Sequence, residues 1–318
     1  MILYMINLAY SLSAALNKTL SEIDQLKLAI LLFSITPKSE LNFRWEARLH
    51  RLNQLHSANN LYLTKQEIEQ LLVTKLKKKL TFQEQELINY QQAFDYIYEN
   101  WLANQEIIQP QDILELYEIC SKPSFGAIRD YQKAVEQLSI ITNYLSHGKE
   151  HPVVKAAVSF IGMLSISPFL GGNEKIASLS SYLYLYKEGF DIRGFLYIED
   201  FLIKDANNVS EELKQKRFNL TDWIEKYAQN FLKHLQRISE KVSNNQQDHL
   251  VKHLTDLNDR QKEILKILEN PQINITNNKV QKNFKVSQIT ASRDLAKLAN
   301  LGLIFAHGKG RSIYYIKL

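Results

Sequence analysis

The chain has 318 residues, 45% of them hydrophobic, a formal net charge of +5 and a single cysteine. At about 100 to 200 residues per domain this length predicts two or three domains. With Cys120 alone, neither an intramolecular disulfide framework nor a thiolate zinc site can be built, which points to a reducing compartment and a cytoplasmic protein. Ten glycines and six prolines are too few to punctuate a sandwich, a barrel or a doubly wound sheet, so the expectation is a mainly α chain.

Met1 to Phe33 is rich in Leu, Ile and Ala, but Asn7, Asn17, Lys18, Glu22, Asp24 and Lys27 interrupt it. The uninterrupted run of about 18 apolar residues that a membrane span needs is never reached. Met1 to Tyr10 carries no charged side chain, which does not fit the basic start of a signal peptide. Helical spacing of apolar residues predicts helices over Ser21–Phe33, Thr64–Leu76, Glu84–Leu102 and Ile113–Cys120, the last opened by Pro110 and Asp112. Pro123 and Gly126 then mark a break. Further helices are predicted at Asp130–Leu145, from Pro152 to Ile166, and at Glu174–Lys187, with the compact loop Ser167-Pro168-Phe169-Leu170-Gly171-Gly172-Asn173 between the last two. Tyr182, Tyr184 and Tyr186 are expected to pack that last helix rather than to bind a base.

A long helix from Leu220 reaches about Val242, and the polar stretch Ser243–Asp248 is the candidate boundary, with the helical pattern able to continue through it. The division expected is 1–100, 101–245 and 246–318. His249 and His253 stand at i, i+4 spacing without an acidic partner of the metalloprotease type, so a solvated helix face is expected and no metal.

Asp256 to Leu318 holds eleven basic and five acidic residues, a charge of +6, which leaves −1 for everything before it. A near-neutral body with a basic tail is the electrostatic footprint of an appended nucleic-acid-binding module. The tail reads as helices at Arg260–Leu268, Asn278–Phe284 and Ser287–Asn300, closed by Gly302. Two β-type runs follow around the glycine-rich basic turn His307-Gly308-Lys309-Gly310-Arg311. This order resembles the winged helix-turn-helix of bacterial regulators. Ser287, Gln288, Thr290, Ser292 and Arg293 would face a DNA major groove, Ile289, Leu295 and Leu298 the core, and Lys309 and Arg311 the phosphates. Winged helices also serve as protein-binding or dimerisation modules, and a homodimer on paired half-sites is one form the DNA reading takes.

The loop before Glu174 leaves backbone amides at a helix N-terminus, an anion-binding geometry. In sequence it resembles the Fic family, whose members mostly transfer AMP from ATP onto a hydroxyl of a target protein and carry the motif HxFx(D/E)GNGRxxR. In that register Phe169, Gly172 and Asn173 match. Ser167 stands for the histidine base, Gly171 for the acidic metal-positioning residue, Glu174 for the second glycine, Lys175 for the first arginine and Ser178 for the second. The resemblance implies a Fic-like helical core and, at Gly126 to Val135, a flap that docks a protein target. Leu55 to Thr64 is similar to the family's inhibitory helix, with Asn59 in place of its glutamate. The expectation is therefore a regulator or pseudoenzyme with no cofactor. The alternative is an enzyme of weak or altered activity, using ATP and magnesium, in which Gly172, Asn173, Glu174 and Lys175 hold the phosphates.

Overall fold

The computed structural model describes residues 9–58, 63–73, 80–121, 128, 130–214, 218–255, 257–269, 273–301, 303–308 and 313–317. They form two compact units, Met1–Val242 and Ser243–Leu318. The first contains α1 (Ala14–Leu32), α2 (Pro37–Ala58), α3 (Lys65–Val73), α4 (Phe82–Trp101), α5 (Pro110–Ser121), α6 (Tyr131–His147), α7 (Pro152–Ile166) and α8 (Asn173–Lys187). A 3-10 turn at Ile192–Gly194 leads to α9 (Glu199–Lys214) and α10 (Leu220–Thr255), and α10 passes the division between the units as one helix.

Caps set several of these ends. Ser13 accepts from the Leu16 amide at α1, and Thr81 and Glu84 form a reciprocal capping box at α4. Asp130 accepts from the Lys133 amide at α6, and Pro152 occupies the first turn of α7 behind His151, where its missing N–H is not needed.

The centre is the pair α7 and α8, which pack on each other along their lengths. Both are buried nearly all round, with Ile176 to Tyr186 continuously shielded in α8, as expected of a helix that solvent never meets. Small side chains let the two backbones approach. The Ser159 and Ser180 hydroxyls hydrogen-bond each other, and the Ser181 hydroxyl donates to the Ala156 carbonyl at 2.7 Å. At Gly162 a Cβ would meet the Ile141 side chain of α6 at 2.7 Å. The Trp223 indole of α10 donates to the Ala157 carbonyl at 3.0 Å and stacks on Phe160. Tyr182, Tyr184 and Tyr186 are all buried.

Several elements differ from the sequence expectation. One apolar core runs from Leu16 to Val242, and α4 crosses residue 100, so that position is not a boundary between cores. α1 begins at Ala14 rather than near Ser21, and α2 and α9 are helices that the apolar spacing does not predict.

The second unit holds α11 (Asp259–Ile267), α12 (Asn277–Phe284), α13 (Gln288–Asn300) and the antiparallel strands β1 (Phe305–His307) and β2 (Tyr314–Ile316). Phe305 pairs with Ile316 and His307 with Tyr314, and Ile275 adds a bridge to Tyr315. Leu257, Ile264, Val280, Ala291, Leu295, Leu298 and Ile304 belong to its own core. Three helices and a two-stranded hairpin are the winged-helix arrangement that the sequence predicts.

Candidate active site and nucleic-acid interface

The loop between α7 and α8 is built by its own side chains. Ser167 ends α7 in the left-handed region at φ 42°, its amide bonded to the Met163 carbonyl and its hydroxyl donating to the Leu164 carbonyl at 2.6 Å. Gly172, at φ 75°, sits where a side chain would be strained and gives α8 its N-cap. Asn173 closes the loop. Its Oδ1 accepts from the Phe169 amide at 3.1 Å and its Nδ2 donates to the Phe169 carbonyl at 2.9 Å. The Phe169 ring is buried and stacks on Tyr117 of α5 at 3.9 Å between centroids. Gly171 is partly buried and offers no side-chain ligand, while Glu174 is exposed in the first turn of α8, where a carboxylate complements the helix dipole.

Lys175 points away from solvent. Its ammonium is ion-paired with Glu86 of α4, both side chains being only 12% exposed. The pair lies near Cys120, whose thiol burial pushes up to about 12, with Lys175 pulling it down and Glu86 pushing it up. Glu86 is a site residue that the sequence reading does not reach. Ser178, one turn further along, is 1% exposed inside the core. Among the described residues no cluster of three or more His, Cys, Asp or Glu side chains is placed to hold a metal ion.

Asn59, the inhibitory-helix position, lies outside the described residues, as do Gly126, Ala127 and Arg129 of the expected flap. Of the rest of that segment, Ile128 packs against the core, Asp130 caps α6, and Tyr131 to Val135 are its first helical turns.

In the second unit α13 presents Gln288, Ser292 and Arg293 to solvent. Ser287 caps the helix by accepting from the Thr290 amide, and its hydroxyl also bonds the Thr290 hydroxyl at 2.9 Å. Ser292 accepts from the Asn277 amide group of α12 at 2.7 Å. These hydroxyls therefore brace the helix-turn-helix as well as face outward. Asp294, on the inner side, accepts from Arg260 at 2.5 Å and Gln261 at 2.7 Å, locking α13 to α11. Burial raises its carboxyl pKa, and the hydrogen bonds from Arg260 and Gln261 outweigh that and hold it below the ordinary value.

Ile289 lies elsewhere than its apolar character predicts. It is 65% exposed, not in the core, because the buried stripe runs through Ala291, Leu295 and Leu298 at i, i+4 and i+7. Ile289 instead shares the outer face with Ser292 and Arg293 at i+3 and i+4. Lys309 and Arg311 of the wing lie outside the described residues.

Residues 260–313 match the DeoR-like helix-turn-helix domain. No curated protein sequence matches the chain. Among solved structures, a Fic family protein from Desulfovibrio desulfuricans G20 is similar over 97% of both chains, at 16% identity and a TM-score of 0.61. Fic-1 from C. elegans is similar over 72% of this chain and 71% of its own, at 17% identity and a TM-score of 0.56. The chain has the Fic fold.

The loop from Ser167 to Asn173 joins α7 and α8 of that fold; Phe169, Gly172 and Asn173 shape it, and Lys175 just beyond it is held by a glutamate from α4. The Fic fold and the helix-turn-helix lie in one chain in which no described helix is long and apolar enough to cross a membrane.

Proposed function

We propose that the Fic-like unit does not transfer AMP and that the chain is a regulator that binds DNA through its C-terminal winged helix. The observation that carries the first part is the Lys175–Glu86 ion pair. The one cation that stands at a motif arginine position is already neutralised by a carboxylate from another helix. Other features support it. A serine hydroxyl at 167, with a pKa far above neutrality, cannot take a proton from a target hydroxyl, and it is already donating to Leu164. Gly171 brings no carboxylate to a metal, and Glu174 sets a negative charge where phosphate oxygens would lie. ATP with magnesium does not fit these residues.

For the second part, the exposed face of α13 and the basic wing support DNA as the partner, with side chains of the recognition helix reading bases and wing cations meeting phosphates. A palindromic footprint would make the bound form a homodimer with half-sites about one helical turn apart.

The test has two arms. Incubation with labelled ATP and magnesium should leave the chain and lysate proteins unlabelled, and ATP should not raise the melting temperature. Labelled bands that disappear in Phe169→Ala would restore the enzyme reading. Gel shifts across genomic fragments at about 50 mM salt, where phosphate attraction is strong, should show binding, and none would leave the winged helix a protein-interaction module.

A further inference from the structure

A cavity of about 280 Å³ lies at the end of α8 opposite the motif loop. It reaches Tyr186, thirteen residues beyond Asn173, or about 20 Å along the helix axis. One wall is α2, which contributes Arg44, Arg48 and Arg51 at i, i+4 and i+7, a single helix face. Trp45, Phe94 and Tyr98 supply flat apolar surface. This is the composition of a small-molecule site, mostly ring surface with a few convergent polar groups.

Two buried donors at this cavity have no acceptor among the described residues. Arg51 is 3% exposed, donates from its Nη1 to the Leu196 carbonyl at 2.6 Å and lies over the Phe94 ring at 3.7 Å. Its Nε is buried and unbonded, and so is the Tyr186 hydroxyl. Buried polar groups are nearly always satisfied, so an orphan pair at one cavity calls for an acceptor that comes from outside. Arg44 and Arg193 share Glu40, Arg48 pairs with Asp95, Arg51 faces the buried Glu199, and Asp191 acts on both Arg44 and Tyr186. The four guanidinium groups are thus matched by four carboxylates, and the two orphan donors are what call for an acceptor.

We propose that this cavity binds a small anion carrying a flat ring, its oxygens accepting from Arg51 and Tyr186 and its ring lying among Trp45, Phe94 and Tyr98. Neither the inactive motif nor the DNA reading is needed for it. Titration calorimetry on the full chain with benzoate and phenyl phosphate distinguishes a carboxylate from a phosphate as the anion. Benzyl alcohol and acetate remove the anion or the ring. At least one of the two anionic ring compounds should bind saturably, at least about tenfold tighter than both controls. Tyr186→Phe and Arg51→Lys, which remove a donor with little change of volume, should each weaken it about tenfold. Arg48→Gln, at the open rim, should weaken it without unfolding the chain. No saturable heat with either anionic compound up to about 10 mM, or undiminished binding in both Tyr186→Phe and Arg51→Lys, would overturn the proposal.

Discussion

Breaking the ion pair between Lys175 and Glu86 gives the sharpest test of how the motif loop is held. Both side chains are 12% exposed, so neither charge has water to fall back on when its partner is removed. Removing one member of a fully buried pair costs about 3 to 5 kcal/mol. The residual exposure brings the expectation for Lys175→Met or Glu86→Leu to about 2 to 3 kcal/mol each. For a unit the size of Met1–Val242 that is a fall in melting temperature of about 4 to 12 °C. The double variant replaces two charges by apolar groups and should cost about 2 to 3 kcal/mol less than the sum of the singles. Urea unfolding followed by tryptophan fluorescence reads the effect in the right place, because Trp45, Trp101 and Trp223 all belong to the first unit. The m-value should stay constant while the midpoint moves. In Glu86→Leu the Lys175 ammonium loses this carboxylate, so sulfate should stabilise that variant more than the parent chain. Singles that add to within about 0.5 kcal/mol would show that the pair is screened like a surface contact and that Lys175 is not held.

His234 gives a pH prediction. Burial, then the charges of Arg237 and His50, push its pKa down from 6.5 to about 3, and its Nε2 accepts the Tyr197 amide as a neutral ring would. Its contribution is therefore complete above pH 6.5 and is lost as pH falls toward 3, at about 1.4 kcal/mol per pH unit; His234→Gln should flatten the profile of urea midpoint against pH, and an unchanged slope would refute the assignment. On DNA, Arg293→Ala should cost about 1 to 3 kcal/mol at one preferred base pair, and Ile289→Ala should weaken preference for a thymine methyl at a neighbouring position. Lys309→Ala combined with Arg311→Ala should weaken all sequences alike and lower the slope of log K against log salt by about 2, measured by fluorescence anisotropy.

The loop was readable from the chain because its residues act locally. Gly172 takes a positive φ, Asn173 brackets Phe169 four residues back and the Phe169 ring is buried on Tyr117, so the three residues that match the Fic motif in sequence are the ones that shape the loop. Glu86 was not readable, since it stands 89 positions from Lys175 and meets it only when α4 packs beside α8. α2 escaped for a different reason. Its inward face carries Arg44, Arg48 and Arg51 among its apolar residues, which erases the contrast between faces on which helical periodicity depends. Ile289 misled because an apolar side chain at the front of a recognition helix looks like core until the phase of the helix is fixed by Ala291 and Leu295. The division between units falls inside α10, at the start of the polar stretch Ser243–Asp248.

The burial of Ser178 limits what this position can hold. Ser178 belongs to the run from Ile176 to Tyr186 that is shielded on every side. An arginine there would need room inside a run that is buried from end to end, and would bring a charge into it. On the proposed reading, Ser167→His, Gly171→Asp and Lys175→Arg would leave this position untouched, and Ser178→Arg would have to be absorbed by the closest-packed part of the unit at a cost in stability. Close packing then decides which positions of the segment are open to change: the exposed Glu174 can be exchanged freely, while the shielded run behind it resists any larger or charged side chain.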